Sequence, residues 1–182
     1  MIGQHKRNFK LVPYQNDWND HFKKEADLLI SILGEKVLRI EHIGSTSIPG
    51  MSAKAIIDIM VGLENFVEAD TLVASITHLG YVYIPEYEDV MPDRRYFEKM
   101  RDAQVSFHIH MVEKGREFWK RHLLFRDYLR ENRDVADEYG LLKKKLAERD
   151  WKVTNDYAQA KTDFIRGVEE QARVSIDGGD SK

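Results

Sequence analysis

The chain has no cysteine, which removes disulfides, thiolate metal sites and cysteine nucleophiles and fits a reducing compartment. Long apolar runs are also missing. None is long enough to cross a bilayer, so no membrane partner is expected. The amino-terminal stretch MIGQHKRNFKLV lacks the apolar core that a signal peptide needs, and a cytoplasmic location is the expectation. An excess of positive charge is absent as well: 28 Lys and Arg stand against 31 Asp and Glu, a formal net charge of −3. A general nucleic-acid coat is therefore not indicated. There is no internal repeat and no low-complexity tract. What is present is the composition of a globular protein, 42% apolar and 32% charged, in 182 residues, enough for one domain with a real core.

Hydrophobic spacing changes style along the chain. Asn8 to Tyr14 reads as a short edge strand ended by Pro13. Trp18, Phe22, Ala26, Leu29 and Leu33 repeat at helical spacing, and Gly34 stops them. Val37 to Ile43 and Ala55 to Val61 read as strands around a polar turn. Phe66, Ala69, Leu72, Val73, Ile76 and Leu79 make a second amphipathic helix closed by Gly80. Tyr81 to Pro85 alternates like a strand, and Glu86 to Arg94 reads as an acidic loop. Tyr96 to Met100 and Val105 to Val112 form a hairpin around Arg101-Asp102-Ala103.

From about residue 115 the pattern is helical. Phe118, His122, Phe125 and Leu129 mark one helix, Val135, Tyr139, Leu142 and Leu146 a second, and Tyr157, Lys161, Phe164, Ile165 and Val168 a third. Charges of both signs fill the faces between them. Trp18, Trp119 and Trp151 sit among apolar neighbours at helical spacing and read as core. Residues 173–182 are polar and glycine-bearing, and a disordered tail is expected there. Mixed strands first and helices last argue a single α+β domain over residues 1–172, a mixed sheet with a helical C-terminal half packed on it.

The chemistry concentrates in Arg39 to Val61, RIEHIGSTSIPGMSAKAIIDIMV. The first strand stops at Gly44-Ser45-Thr46. The second is apolar except for Asp58, and a carboxylate inside such a run needs a reason, because burying an unpaired charge is costly. Gly44 lets backbone approach a ligand closely. Ser45 and Thr46 offer hydroxyls, and Asp58 suits a divalent cation held against phosphate oxygens. His108 and His110 alternate along FHIHMV, so both leave the same face of their strand. Imidazole nitrogen favours zinc, manganese or iron over magnesium. Glu41 and His42 alternate before the turn, so at most one faces the site. His42 shares a face with Gly44 and is the weaker addition to the set.

Ile43-Gly44-Ser45 followed by Ile57-Asp58-Ile59 resembles the signature of the nucleotidyltransferase superfamily. The segments LVPYQNDW, the central stretch, RRYF, HIHMVE, HLLFRDYLREN and YAQAKTDFI, in this order, resemble the GrpB family over roughly Leu11 to Val168. The resemblance implies a nucleotidyltransferase-like fold. It also implies a link to nucleotide or cofactor metabolism, since a relative of the domain occurs fused to dephospho-coenzyme A kinase. Asp58, His108 and His110 become the catalytic and metal-binding candidates. Gly44, Ser45, Thr46, Lys54, Arg94 and Lys161 become the nucleotide- and phosphate-binding candidates, because a triphosphate needs cations and arginine suits it. Arg95 and Tyr157 flank two of these. Arg126-Asp127 reads as a helix-face ion pair or a dock for the C-terminal helices.

One departure matters. The superfamily pattern places a second carboxylate two residues after the first, on the same strand face. This chain has Met60, and a thioether is a poor magnesium ligand. The usual two-metal arrangement is therefore in doubt. Three functions stay open: nucleotidyl transfer from a nucleoside triphosphate to a small-molecule or protein acceptor with a divalent cation (manganese, magnesium or zinc); a catalytically silent nucleotide-binding module; and a metal-dependent phosphohydrolase. Oligomeric state is not legible.

Overall fold

The computed structural model describes residues 10–101, 105–149 and 159–179. Its elements run α1 (Trp18–Leu33), β1 (Val37–Ile43), β2 (Ile56–Leu63), α2 (Ala69–His78), β3 (Val82–Tyr83), β4 (Arg94–Arg101), β5 (Val105–Glu113), α3 (Glu117–Glu131), α4 (Arg133–Ala147) and α5 (Thr162–Gly179). The strands form one mixed sheet in the order β1-β2-β5-β4-β3. β2 and β5 are parallel and every other neighbouring pair is antiparallel. A parallel pair cannot be joined by a hairpin. The connection from β2 to β5 therefore carries α2, β3 and β4.

Residues paired in register share a sheet face, which sorts every strand residue to one side or the other. Ile57, Ile59, Val61 and Leu63 of β2, with Phe97, Phe107, Ile109 and Met111, pack under Trp18, Leu29 and Leu33 of α1 and Ala69, Leu72 and Ile76 of α2. The β-branched run of the second strand thus becomes the floor of the main core. On the opposite face, Ile43, Met60 and Val112 lie beneath Trp119 of α3. Gly62 makes room for that indole: a Cβ there would come within 2.5 Å of the ring, so the strand needs glycine for close approach.

The end of β1 and the long connection from it to β2 are held from above. Arg126 donates to the carbonyl of His42 at 3.0 Å, Arg130 to Ser47 at 2.8 Å, Arg133 to Pro49 at 3.1 Å and Lys143 to Ser52 at 2.7 Å. Loop carbonyls that leave the sheet ladder need partners, and here α3 and α4 supply them. Arg126 also pairs with Glu41 at 2.7 Å and Asp127 at 2.7 Å, so the pair docks the helices on the sheet as well as joining neighbours.

Several expectations change. Of the amino-terminal strand, the described part forms a single antiparallel bridge, Val12 with Ala53. β4 begins at Arg94, so the end of the acidic segment is already in the ladder. Phe66–Glu68 is a 3-10 turn leading into α2. Lys161 lies in the turn just before α5 rather than on the helix. The tail expected to be disordered is helical through Gly179; Val168 and Ala172 of α5 are buried, and that apolar stripe anchors it. Trp18 and Trp119 are buried. Trp151, Tyr157 and the hairpin turn at Asp102-Ala103 lie outside the described residues.

Candidate functional site

Asp58 opposes His108 in the parallel register, and Met60 opposes His110. On the far side of β5, Glu98 opposes His108 and Tyr96 opposes His110. All six therefore leave the sheet on the face covered by α3. Asp58 Oδ1 sits 3.4 Å from His108 Nδ1 and 3.5 Å from His110 Nε2. The second nitrogen of His108 is 3.8 Å from Glu98, which accepts a 3.0 Å bond from the Tyr96 hydroxyl. Burial opposes ionisation of Asp58, but hydrogen bonds and charge from the two histidines outweigh it and hold the carboxyl well below its ordinary range.

The other carboxylate oxygen faces Gly44. Gly44 adopts φ +72°, and a Cβ built on it would fall 2.3 Å from Asp58 Oδ2. Both the backbone conformation and the contact need a residue without a side chain. A 3-10 turn at Ser45–Ser47 follows directly and turns the chain over the end of β2.

His110 has a defined tautomer. Its Nδ1 lies 3.2 Å from Arg94 Nη1. Arginine can only donate, so Nδ1 accepts and Nε2 carries the hydrogen aimed at Asp58. Burial, partly offset by Asp58, lowers the pKa of His110 below that of an ordinary imidazole. His110 thus acts as a donor to Asp58. Arg94 itself stands among the rings of Tyr87, Tyr96 and Phe118 at 4.9–5.7 Å, and its Nε is buried without a hydrogen-bond partner among the described residues.

Two hollows meet at Asp58, Ser45 and Lys161. The first, about 190 Å³, is lined by Ser45, Thr46, Lys54, Asp58, His108, Lys143 and Lys161 together with small apolar groups. The second, about 300 Å³, is lined by Gly44, Asp58, His110, His122, Phe125 and Tyr139, with Arg121, Lys161 and Glu169. One wall of the second is the bidentate Arg121–Glu169 pair, with contacts of 2.9–3.1 Å. His122 stacks on Phe118 at 3.8 Å, and burial pushes its pKa down to about 4.

The residues singled out from sequence therefore divide. Gly44, Ser45, Lys54, Asp58, His108, His110 and Lys161 come together. Thr46 lines the first hollow, yet its hydroxyl donates to the Ile56 carbonyl at 2.8 Å and meets His42 Nε2 at 3.1 Å, so its hydrogen is already engaged. His42 belongs to the opposite face: its partner in register is Ile59, and its ring stacks on Phe22 at 4.7 Å. Burial lowers its pKa to about 4. The alternation was right and the choice within it was not, because Glu41 is the member on the Asp58 side, where Arg126 and Arg39 hold it. Arg94 lines neither hollow and stands behind His110. Arg95 pairs with Asp70 and Glu88 on the other face.

Lys143, Glu98, Arg121 and Glu169 were not anticipated. Lys143 had a signal: it falls between Tyr139 and Leu146 at spacings of four and three, on the buried face of its helix. Nothing in the sequence marked the other three.

A divalent cation, the group the signature implies, can be tested against these donors. Among the described residues, no group of three or more His, Asp or Glu is arranged to hold a metal ion. Met60 is fully buried beneath Trp119, so the missing second carboxylate has no opening to the hollows either. His110 Nε2 carries a hydrogen. Asp58 and His108 remain, a set that suits a cation whose other ligands are phosphate oxygens and water.

The family model described as GrpB protein matches residues 8–171. The UPF0157 protein YqkA of Bacillus subtilis is 38% identical over 168 residues, 92% of this chain and 48% of that protein, so this chain spans about half of it. The glutamate-rich protein GrpB of Alkalihalophilus pseudofirmus is 36% identical over 91% of this chain and 96% of its own length. A dephospho-CoA kinase of Mycolicibacterium paratuberculosis is 33% identical over 87 residues, 46% of this chain and 21% of that protein. The crystal structure of conserved protein GrpB from Enterococcus faecalis superposes with a TM-score of 0.81 at 37% identity, over 92% of this chain and 99% of that one. By sequence over nearly its whole length, and by fold, the chain belongs to the GrpB family.

Proposed function

We propose that the cleft binds a nucleoside triphosphate with one divalent cation and transfers its nucleotidyl group to a small-molecule or protein acceptor. The observation that carries this reading is the convergence on Asp58. A low-pKa carboxylate, a glycine turn that no side chain can replace, a serine, three lysines and two histidines line two hollows that adjoin at Asp58. Asp58 and His108 would hold the cation, whose chemistry is to neutralise charge on the phosphate and orient it. His110, fixed by Arg94, keeps Asp58 ionised and in place. Lys54 and Lys161 carry charge toward the phosphate chain, while Gly44 and Ser45 shape the turn it lies against. The hollow with Phe125 and Tyr139 has the flat apolar walls that suit a nucleobase or an acceptor ring.

The experiment is Asp58→Asn, which keeps shape and removes charge. Calorimetric titration with nucleoside triphosphate and metal should show affinity reduced at least tenfold, with the melting temperature nearly unchanged. Unchanged affinity would remove the reading. A large loss of stability would instead mark Asp58 as a structural partner of the histidines, because their interaction would be broken in a partly buried place.

A second reading, a nucleotide-binding module without transfer chemistry, is favoured by Met60. The residue is covered by Trp119, so the strand offers one carboxylate to the cleft. Binding of intact triphosphate with no release of pyrophosphate in the presence of candidate acceptors selects it.

A further inference from the structure

Lys143 stands apart from the other cations of α3 and α4. Arg126 meets carboxylates, and Arg130 and Arg133 are exposed beside Asp127 and Asp137. Lys143 is only 2% exposed. Its ammonium donates to the neutral carbonyl of Ser52 at 2.7 Å and lies 4.9 Å from the Tyr139 ring centre. A lysine in so little water normally has a carboxylate beside it. Here it faces the first hollow, where Lys54 enters from the β1–β2 connection and Lys161 from the turn before α5. Asp58 from β2 and His108 from β5 line the far side. Three lysine amino groups around about 190 Å³, one of them buried, make a place suited to several negative charges. The volume is too small for a whole nucleotide, since pockets for drug-sized ligands begin near ~300 Å³.

We propose that Lys143, with Lys54 and Lys161, forms a polyphosphate subsite that stands in for the missing second cation and takes up a proton as the phosphate chain enters. This rests on the reading of the cleft as a triphosphate site and assigns its charge chemistry. In the chain without ligand, burial first and the charge of Lys161 second lower the pKa of Lys143 to about 7, so at pH 8 most of the amine is neutral. An anion favours the charged form and raises the pKa again. The proton comes from solvent, and no bond is made or broken. An ammonium has three donors; the Ser52 carbonyl takes one, and the others suit phosphate oxygens.

The probe is inorganic tripolyphosphate, titrated calorimetrically into the full chain at pH 8 with divalent cations chelated, in two buffers of different ionisation enthalpy. The wild-type protein should bind and take up about one proton per site. Lys143→Met keeps the apolar stem, should lose at least tenfold in affinity, and should take up clearly fewer protons than wild type, any remainder belonging to Lys161, whose pKa burial also lowers. Lys143→Arg should bind with the same reduced uptake, because guanidinium stays charged at this pH. A thermal melt checks folding: the methionine variant, in which the Ser52 carbonyl loses its donor, should melt somewhat lower than wild type and still be folded at the titration temperature. Tripolyphosphate binding with no proton uptake, or equal affinity in the methionine variant, overturns the proposal, as does no binding by wild type. If tripolyphosphate binds with uptake but a nucleoside triphosphate binds no tighter, the subsite stands and the nucleotide reading fails. Nucleotide binding indifferent to Lys143 removes the subsite alone.

Discussion

The two faces of the sheet are built on opposite principles. Beneath α1 and α2 the strands present Ile57, Ile59, Val61, Phe97, Phe107 and Ile109, nearly all without solvent exposure. Beneath α3 the same strands present Asp58, His108, His110, Glu98 and Glu41 between patches of apolar packing. Along each strand the residues of the two faces alternate. One face is filled by volume; the other is arranged by charge and hydrogen bonds, with hollows left at Asp58. Stability should therefore reside mainly in the first face and ligand binding mainly in the second.

The hardest test of that division is a deletion in the filled face. Phe107 is fully buried, and it leaves the sheet opposite to its neighbour His108. Phe107→Ala should cost about 3–5 kcal/mol, the usual range for emptying such a place. Denaturant unfolding measures it. The ligand affinity of the fraction that remains folded should stay within a few-fold of wild type. His108→Ala, one residue away, should do the reverse, weakening ligand binding while costing clearly less stability than Phe107→Ala. A severe loss of stability from His108→Ala would show that the polar face also carries the fold.

Acid probes both faces together. His42 under α1 and His122 on the cleft side each have a pKa of about 4 through burial, and His110 is shifted the same way. Each is lowered below the unfolded value near ~6.5. Between these limits the unfolded chain binds more protons, so stability falls as pH drops and is unaffected above that window. The slope per histidine is at most about 1.4 kcal/mol per pH unit. Asp58 does not interfere, since its lowered pKa places its own loss below the ordinary carboxylate range. Urea unfolding at pH 7.5 and 5.0 should show wild type losing stability, and His42→Gln losing less. Equal losses in the two proteins would mean that His42 is not the buried neutral ring its stacking on Phe22 implies.

The contrast between faces also explains what the sequence revealed. Apolar periodicity reports a filled face directly, so α1, α2, the central strands and the helical C-terminal half were legible. The Gly44-Ser45 turn and Asp58 were legible as exceptions to an apolar pattern. Alternation placed His108 and His110 on one face, but it could not choose between Glu41 and His42, because a strand end carries no mark of which side is the core. Arg94 and Thr46 match phosphate-binding residue types, and only coordinates show one held behind His110 and the other bonded to Ile56. The helical stretch up to Gly179 escaped notice because its apolar stripe thins among charges.

The smallest expected effect concerns metal preference, and it turns on a single hydrogen. Two histidines near one carboxylate would argue for a marked preference for manganese or zinc over magnesium. Arg94 alters that expectation. Because it donates to His110 Nδ1, the nitrogen facing Asp58 bears hydrogen and offers a cation no lone pair. His108, 3.4 Å from the Asp58 carboxylate, would then be the nitrogen donor offered to a cation there. One imidazole against several phosphate and water oxygens should shift selectivity only a few-fold. The measurement is triphosphate affinity with magnesium and with manganese in wild type, His108→Ala and His110→Ala. His108→Ala should bind with no preference between the metals. His110→Ala should bind more weakly with both and keep the wild-type ratio, because it loses the donor that steadies Asp58 and no ligand. If His110→Ala erases the preference instead, Arg94 must release the ring when the metal binds, and the polar face is rearranged by its ligand rather than prepared for it.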